Sequence, residues 1–106
     1  MVAIHPRVHE AAQTLLRAAP GSRVILFGSA ARGDARPGSD LDFLVIQPQV
    51  KSRRAEMVRL SDALRELHIY ADVLVVSEQT FHEAAEMPGT VLHDAARMGI
   101  EFHGAG

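Results

Sequence analysis

Val24 to Ile46 reads VILFGSAARGDARPGSDLDFLVI, and this stretch decides how the chain folds. Arg23 to Phe27 is a branched apolar run with the length and composition of a strand. Gly28 and Ser29 turn the chain. Ser29 to Arg32 has room for one helical turn, and Gly33 to Gly38, with Pro37 inside it, reads as loop. A second apolar strand runs from Ser39 to Ile46. Its even positions are Asp40, Asp42, Leu44 and Ile46, and its odd positions are Leu41, Phe43 and Val45. Period-two alternation therefore places both aspartates on one face, one pleat apart. The opposite face is apolar throughout and needs a covering layer. The connector is too short for a packed crossover helix, which leaves antiparallel pairing for these two strands.

Upstream, Pro6 to Ala19 is predicted helical. Val8, Ala11, Ala12, Leu15, Leu16 and Ala19 recur at three- and four-residue spacing, and Pro20-Gly21 ends the run. Downstream, Gln47 to Val50 reads as a turn. Ser52 to Leu67 is a helix capped by Ser52, with an apolar stripe of Met57, Leu60, Leu64 and Leu67. Arg53, Arg54, Glu56, Arg59, Arg65 and Glu66 form its wet side. Ile69 to Val76 is a third strand, with Tyr70, Asp72 and Leu74 on one face. Ser77 caps a helix to about Glu86, Pro88-Gly89 breaks it, Thr90 to Met98 is a last helix, and Ile100 to Phe102 adds a short edge strand. The helix over 52–67 is long enough to cross over to a parallel third strand. The expected class is α+β, a small mixed sheet covered by helices.

A chain of 106 residues fits one domain, residues 1–106. A hydrophobic fraction of 47% and a charged fraction of 23% are those of an ordinary globular protein. The net charge of −2 offers no general nucleic-acid-binding surface. The absence of cysteine excludes disulfides and thiolate metal sites. The apolar runs are strand-length, too short to span a bilayer. MVAIHPRVHE lacks the apolar core of a secretory signal, so the expected location is cytoplasmic.

The carboxylates carry the chemistry. Asp40 and Asp42 on one strand face, with an inward Asp72 on a neighbouring strand, are expected to converge, and three such anions repel strongly unless their pKa values rise or a divalent cation neutralises them. Oxygen-only ligands favour Mg²⁺, or Mn²⁺, over zinc. Two such ions about 3.5–4 Å apart clamp the attacking and leaving oxygens of a displacement at phosphorus. Gly28 lets the backbone approach a phosphate closely, and Ser29 adds a hydroxyl. A helical turn starting there aims free N–H groups at an anion. Arg32 and, less directly, Arg36 are placed to add charge-assisted contacts, and Ser39 to orient a carboxylate or bind nucleotide. An isolated Asp-x-Asp is usually a strand end at the surface; the preceding Gly-Ser turn and the following Phe43 to Ile46 run favour a site. The six histidines show no ligand spacing and read as surface or packing residues.

GSAARGDARPGSDLDFLVI resembles the signature of the DNA polymerase beta-type nucleotidyltransferase superfamily, a Gly-Ser turn followed by Asp-x-Asp. The short chain and the Arg32-Gly33 after the turn make it look like the minimal nucleotidyltransferases, which pair as antitoxins with HEPN-domain toxins. YADVLVV fits the strand that bears the third carboxylate, and PGTVLHDAARMGIEFHG resembles the usual ending of that group. The resemblance implies the nucleotidyltransferase fold, with Asp40, Asp42 and Asp72 as catalytic metal ligands. Asp72 would also help activate the acceptor hydroxyl. Gly28 and Ser29 would form the triphosphate turn. It further implies ATP as substrate, Mg²⁺ as cofactor and AMP transfer to a hydroxyl, typically tyrosine, of the paired toxin.

Size adds an expectation: 106 residues are filled by one domain, so the acceptor is expected to be supplied by a partner protein or a second copy. Two alternatives stay open. One is a non-catalytic antitoxin that neutralises by contact. The other is a nucleotidyltransferase acting on a small molecule such as an aminoglycoside, or on an RNA end.

Overall fold

In a computed structural model the described residues are 6–28 and 41–103. Four strands form one sheet: β1 (Arg23–Phe27), β2 (Leu41–Gln47), β3 (Ala71–Ser77) and β4 (Ile100–Phe102), in the order β3-β2-β1-β4. β1 pairs antiparallel with β2 and with β4, and β2 pairs parallel with β3. The expected mixed sheet is therefore present, with both expected pairing directions. Four helices are described: α1 (Pro6–Ala18), α2 (Arg53–Arg65), α3 (Glu78–Ala85) and α4 (Val91–Met98).

The helices lie on both faces of the sheet. Val24, Leu26, Phe43, Val45, Val73 and Val75 share a buried core with Val8, Leu15, Leu60 and Leu64 of α1 and α2. The alternate residues Ile25, Leu44, Ile46 and Val76 pack with Phe81, Leu92 and Ala95 of α3 and α4. The central strand is thus apolar on both sides along 43–46, as a strand with two covering layers must be.

Local signals place the helix ends. Ser52 Oγ accepts from the Ala55 N–H at 3.2 Å, Ser77 Oγ from the Thr80 N–H at 3.1 Å, and Thr90 Oγ1 from the His93 N–H at 3.1 Å. Thr90 is therefore a cap preceding the last helix and not its first residue. α2 stops at Arg65, earlier than the expected Leu67. His68 takes a left-handed φ of 58°. Its N–H donates to Arg65 O at 2.9 Å and the Ile69 N–H donates to Leu64 O at 3.0 Å, the two bonds of a Schellman closure. Ile69 and Tyr70 belong to this closure and its exit, so β3 begins at Ala71, two residues later than expected.

Two guanidiniums fasten α1 to α2. An Arg7 Nη2–H donates to Leu67 O at 2.6 Å, and an Arg59 Nη1–H donates to Ala18 O at 2.7 Å. Gln47 corrects the expected turn over 47–50. It is the last residue of β2, pairs with Ser77, and is buried. Its Nε2–H donates to Glu56 Oε1 at 2.8 Å, while Arg59 Nε–H donates to Glu56 Oε2 at 2.7 Å. The Arg59 guanidinium first, and the Gln47 amide second, hold the Glu56 carboxyl at about 2, below the ordinary 4.5. A depressed folded value means that this contribution is complete above pH 4.5 and is lost as pH falls from 4.5 towards 2. The side chain keeps partial contact with water, so the gain is about 1 kcal/mol. Glu56→Gln is expected to lose about that much at pH 7, with the gap to the wild type closing below pH 4.5. Urea midpoints measured from pH 7 to pH 3 check it; a gap that does not narrow in acid contradicts the assignment.

At the far end of the sheet from Gly28, Arg23 joins β1 to β4 and α3. It forms a fork with Glu101 at 2.9 and 3.0 Å and lies 3.6 Å from Glu78. Its guanidinium carbon sits 5.1 Å from the centre of the Phe81 ring. The hydrogen bond from Arg23 lowers the Glu101 carboxyl.

Candidate active site

Three residues in one row define the site. Phe27, Asp42 and Asp72 are Cα partners across β1, β2 and β3. Alternation puts Asp42 on the face of Leu44 and Ile46, and Asp72 on the face of Leu74 and Val76. Both carboxylates thus emerge on the α3 and α4 side, their backbones about 4.8 Å apart.

Gly28 follows directly, with φ of 77°. A Cβ here would lie 2.5 Å from Asp42 Oδ2 and 3.3 Å from Asp42 Cγ. Real Cβ atoms do not come that close, and the left-handed backbone already disfavours a side chain. The glycine therefore does two things at once: it turns the chain out of β1, and it lets that turn sit against the Asp42 carboxylate. Asp42 is half-buried there. Asp72 is exposed and not inward as expected, because α3 covers only the later part of β3.

Like charges directly opposite on neighbouring strands destabilise a sheet. A divalent cation between them reverses the sign of that interaction. Two carboxylates offer the all-oxygen donors that Mg²⁺ and Mn²⁺ prefer. Among the described residues no group of three His, Cys, Asp or Glu side chains is assembled to hold a metal. The third ligand expected from the sequence, Asp40, lies outside the described residues, as do Ser29, Arg32, Arg36 and Ser39. The structure thus brings Gly28, Asp42 and Asp72 together. Of the histidines, His93 Nδ1 lies 2.7 Å from Ala85 O and His9 packs edge-on to Phe102 at 5.3 Å. Both serve packing.

Comparison with known proteins agrees with this geometry. A family model described as nucleotidyltransferase domain matches residues 8–96. Among solved structures the chain is similar to one described as "Crystal structure of the toxin-antitoxin with AMP-PNP". The TM-score is 0.55 and the identity 24%, over 91% of this chain and 73% of that one. No curated protein matches. No described helix is long and apolar enough to cross a membrane. The family match takes in the whole row from the Gly28 turn to Asp72: this chain belongs to the nucleotidyltransferase domain family.

Proposed function

We propose that this protein transfers a nucleoside monophosphate, AMP from ATP, to a hydroxyl of a protein partner, as the antitoxin of a toxin–antitoxin pair. The observation that carries the reading is the seat of the Gly28 backbone against the Asp42 carboxylate, with Asp72 in register beside it. A triphosphate bound at the Gly28 turn then lies next to the carboxylates that handle its charge. The solved structure with a similar fold is of a toxin–antitoxin complex with AMP-PNP, which supports an adenine nucleotide and a toxin partner. A HEPN-domain protein is the partner proposed.

Asp40, Asp42 and Asp72 would hold Mg²⁺, which when bound screens the phosphate charge and favours in-line displacement. In that step the acceptor oxygen attacks the α-phosphorus. The bond from the α-phosphorus to the α,β-bridging oxygen breaks, and pyrophosphate leaves. The hydroxyl proton passes to Asp72, whose exposure suits a group that must meet an incoming macromolecule. Ser29 and Arg32 would hold the β- and γ-phosphates, and Ser39 would steady Asp40.

The test is label transfer to a co-expressed neighbouring protein in Mg²⁺. Label at the α-phosphate of ATP is expected on the partner, and label at the γ-phosphate is not. Transfer of γ-label, or none of either while the partner is still neutralised, counts against the reading.

A further inference from the structure

Beside the Gly28 turn, on the opposite side of β2 from Asp72, lies a cleft of about 230 Å³. Phe27, Gly28, Val91, Asp94, Met98 and Gly99 line it. Val91, Asp94 and Met98 stand at i, i+3 and i+7 of α4 and so form one helical stripe. The next stripe, Leu92 and Ala95, is buried in the core. α4 therefore uses one face to cover the sheet and presents a second face that no other described element covers along the site. On that free face Val91 is 55% and Met98 62% exposed. Gly99 sets the closeness of the two walls. A Cβ there would meet the Ile25 side chain and lie 2.5 Å from Ala95 O, so only glycine lets the end of α4 rest on β1.

We propose that this cleft receives the base of the bound nucleotide, and that it selects a base with an exocyclic amine. The proposal rests on the nucleotidyl-transfer reading above. Three observations carry it. Gly28 belongs to both sites: it seats against Asp42 and it also lines the cleft. A nucleotide with its phosphates at this turn would set its base against Phe27 and Met98, which line the same cleft as Gly28. The volume is below the roughly 300–1,000 Å³ of pockets that enclose whole ligands, and suits a single ring system. Among the described lining residues Asp94 is the one with a polar side chain, and the others are apolar or glycine. An ionised carboxylate accepts hydrogen bonds and cannot donate them. It suits the amino group of adenine and repels a phosphate, which sets the direction in which the nucleotide lies. The acceptor hydroxyl enters from the other side, at Asp72.

Isothermal titration in Mg²⁺ with ATP, UTP and inorganic tripolyphosphate tests this. The wild type is expected to bind ATP about tenfold or more tightly than UTP, the factor of one charge-assisted hydrogen bond. Asp94→Ala is expected to abolish that preference. Met98→Ala is expected to weaken both nucleotides, and neither variant is expected to change tripolyphosphate affinity. Both positions are solvent-exposed, and far-UV circular dichroism verifies that the variants are folded. Wild-type affinities equal for ATP and UTP, or variants that bind ATP as the wild type does, overturn the cleft assignment and leave the transfer reading standing. Failure of all three ligands to bind overturns both.

Discussion

Asp42→Asn is expected to lower nucleotidyl transfer about a thousandfold while the protein stays folded. The loss follows from the site: Asp42 is the carboxylate against which the Gly28 turn is seated. A ligand that helps neutralise charge building up at phosphorus contributes several kcal/mol, and each 1.36 kcal/mol is tenfold in rate. Asparagine keeps the shape and removes the charge. It also removes one member of the like-charged Asp42–Asp72 pair, and the thermal midpoint is expected to stay within about 3 °C of the wild type. Label transfer and thermal unfolding, measured on the same preparation, check both halves. Undiminished transfer would remove Asp42 from the mechanism.

The next residue gives the opposite result. Phe43 points to the other face, is completely buried, and packs with α1 and α2. Phe43→Ala is expected to cost about 3–5 kcal/mol, from lost burial and the cavity left behind. A domain of this size has only about 5–15 kcal/mol in total. The thermal midpoint should fall by about 15–25 °C, followed by circular dichroism. A fall of less than about 5 °C would mean that the core is not organised around this strand.

Much of the fold was legible because its signals are local. Alternation along 41–46, the Ser52 and Ser77 caps and the short connector before Asp40 each have one cheap structural solution. The misreadings came from residues whose role is set by distant partners. Gln47 looks like turn chemistry until Glu56 arrives from α2 to satisfy its amide. Arg59 looks like a wet side chain, yet it closes the end of α1. Leu67 continues an apolar stripe, but the closure around the left-handed His68, with bonds back to Arg65 and Leu64, takes Leu67 out of the helix.

At the candidate site, spacing puts Gly28 and Asp42 forward and the third strand puts Asp72 forward, and the structure brings these three together. Nothing in the spacing shows that a glycine Cβ would strike Asp42, since that contact depends on strand pairing. The cleft is not legible in the sequence. Val91, Asp94 and Met98 carry the i, i+3, i+7 signal of a second helix face, but an eight-residue helix with Leu92 and Ala95 inside looks complete without it.

The row formed by Phe27, Asp42 and Asp72 has a consequence for quality control. Because side chains alternate, sliding β2 by one residue against its neighbours would push the Asp42 charge into the α1–α2 core and leave Phe43 on the α3–α4 side beside Asp72. No misaligned sheet can be nearly right: it forfeits hydrophobic burial and chemistry together. The register that buries Phe43 against α1 and α2 is the same register that sets Asp42 beside Asp72, so burial of one residue proofreads the placement of the one before it.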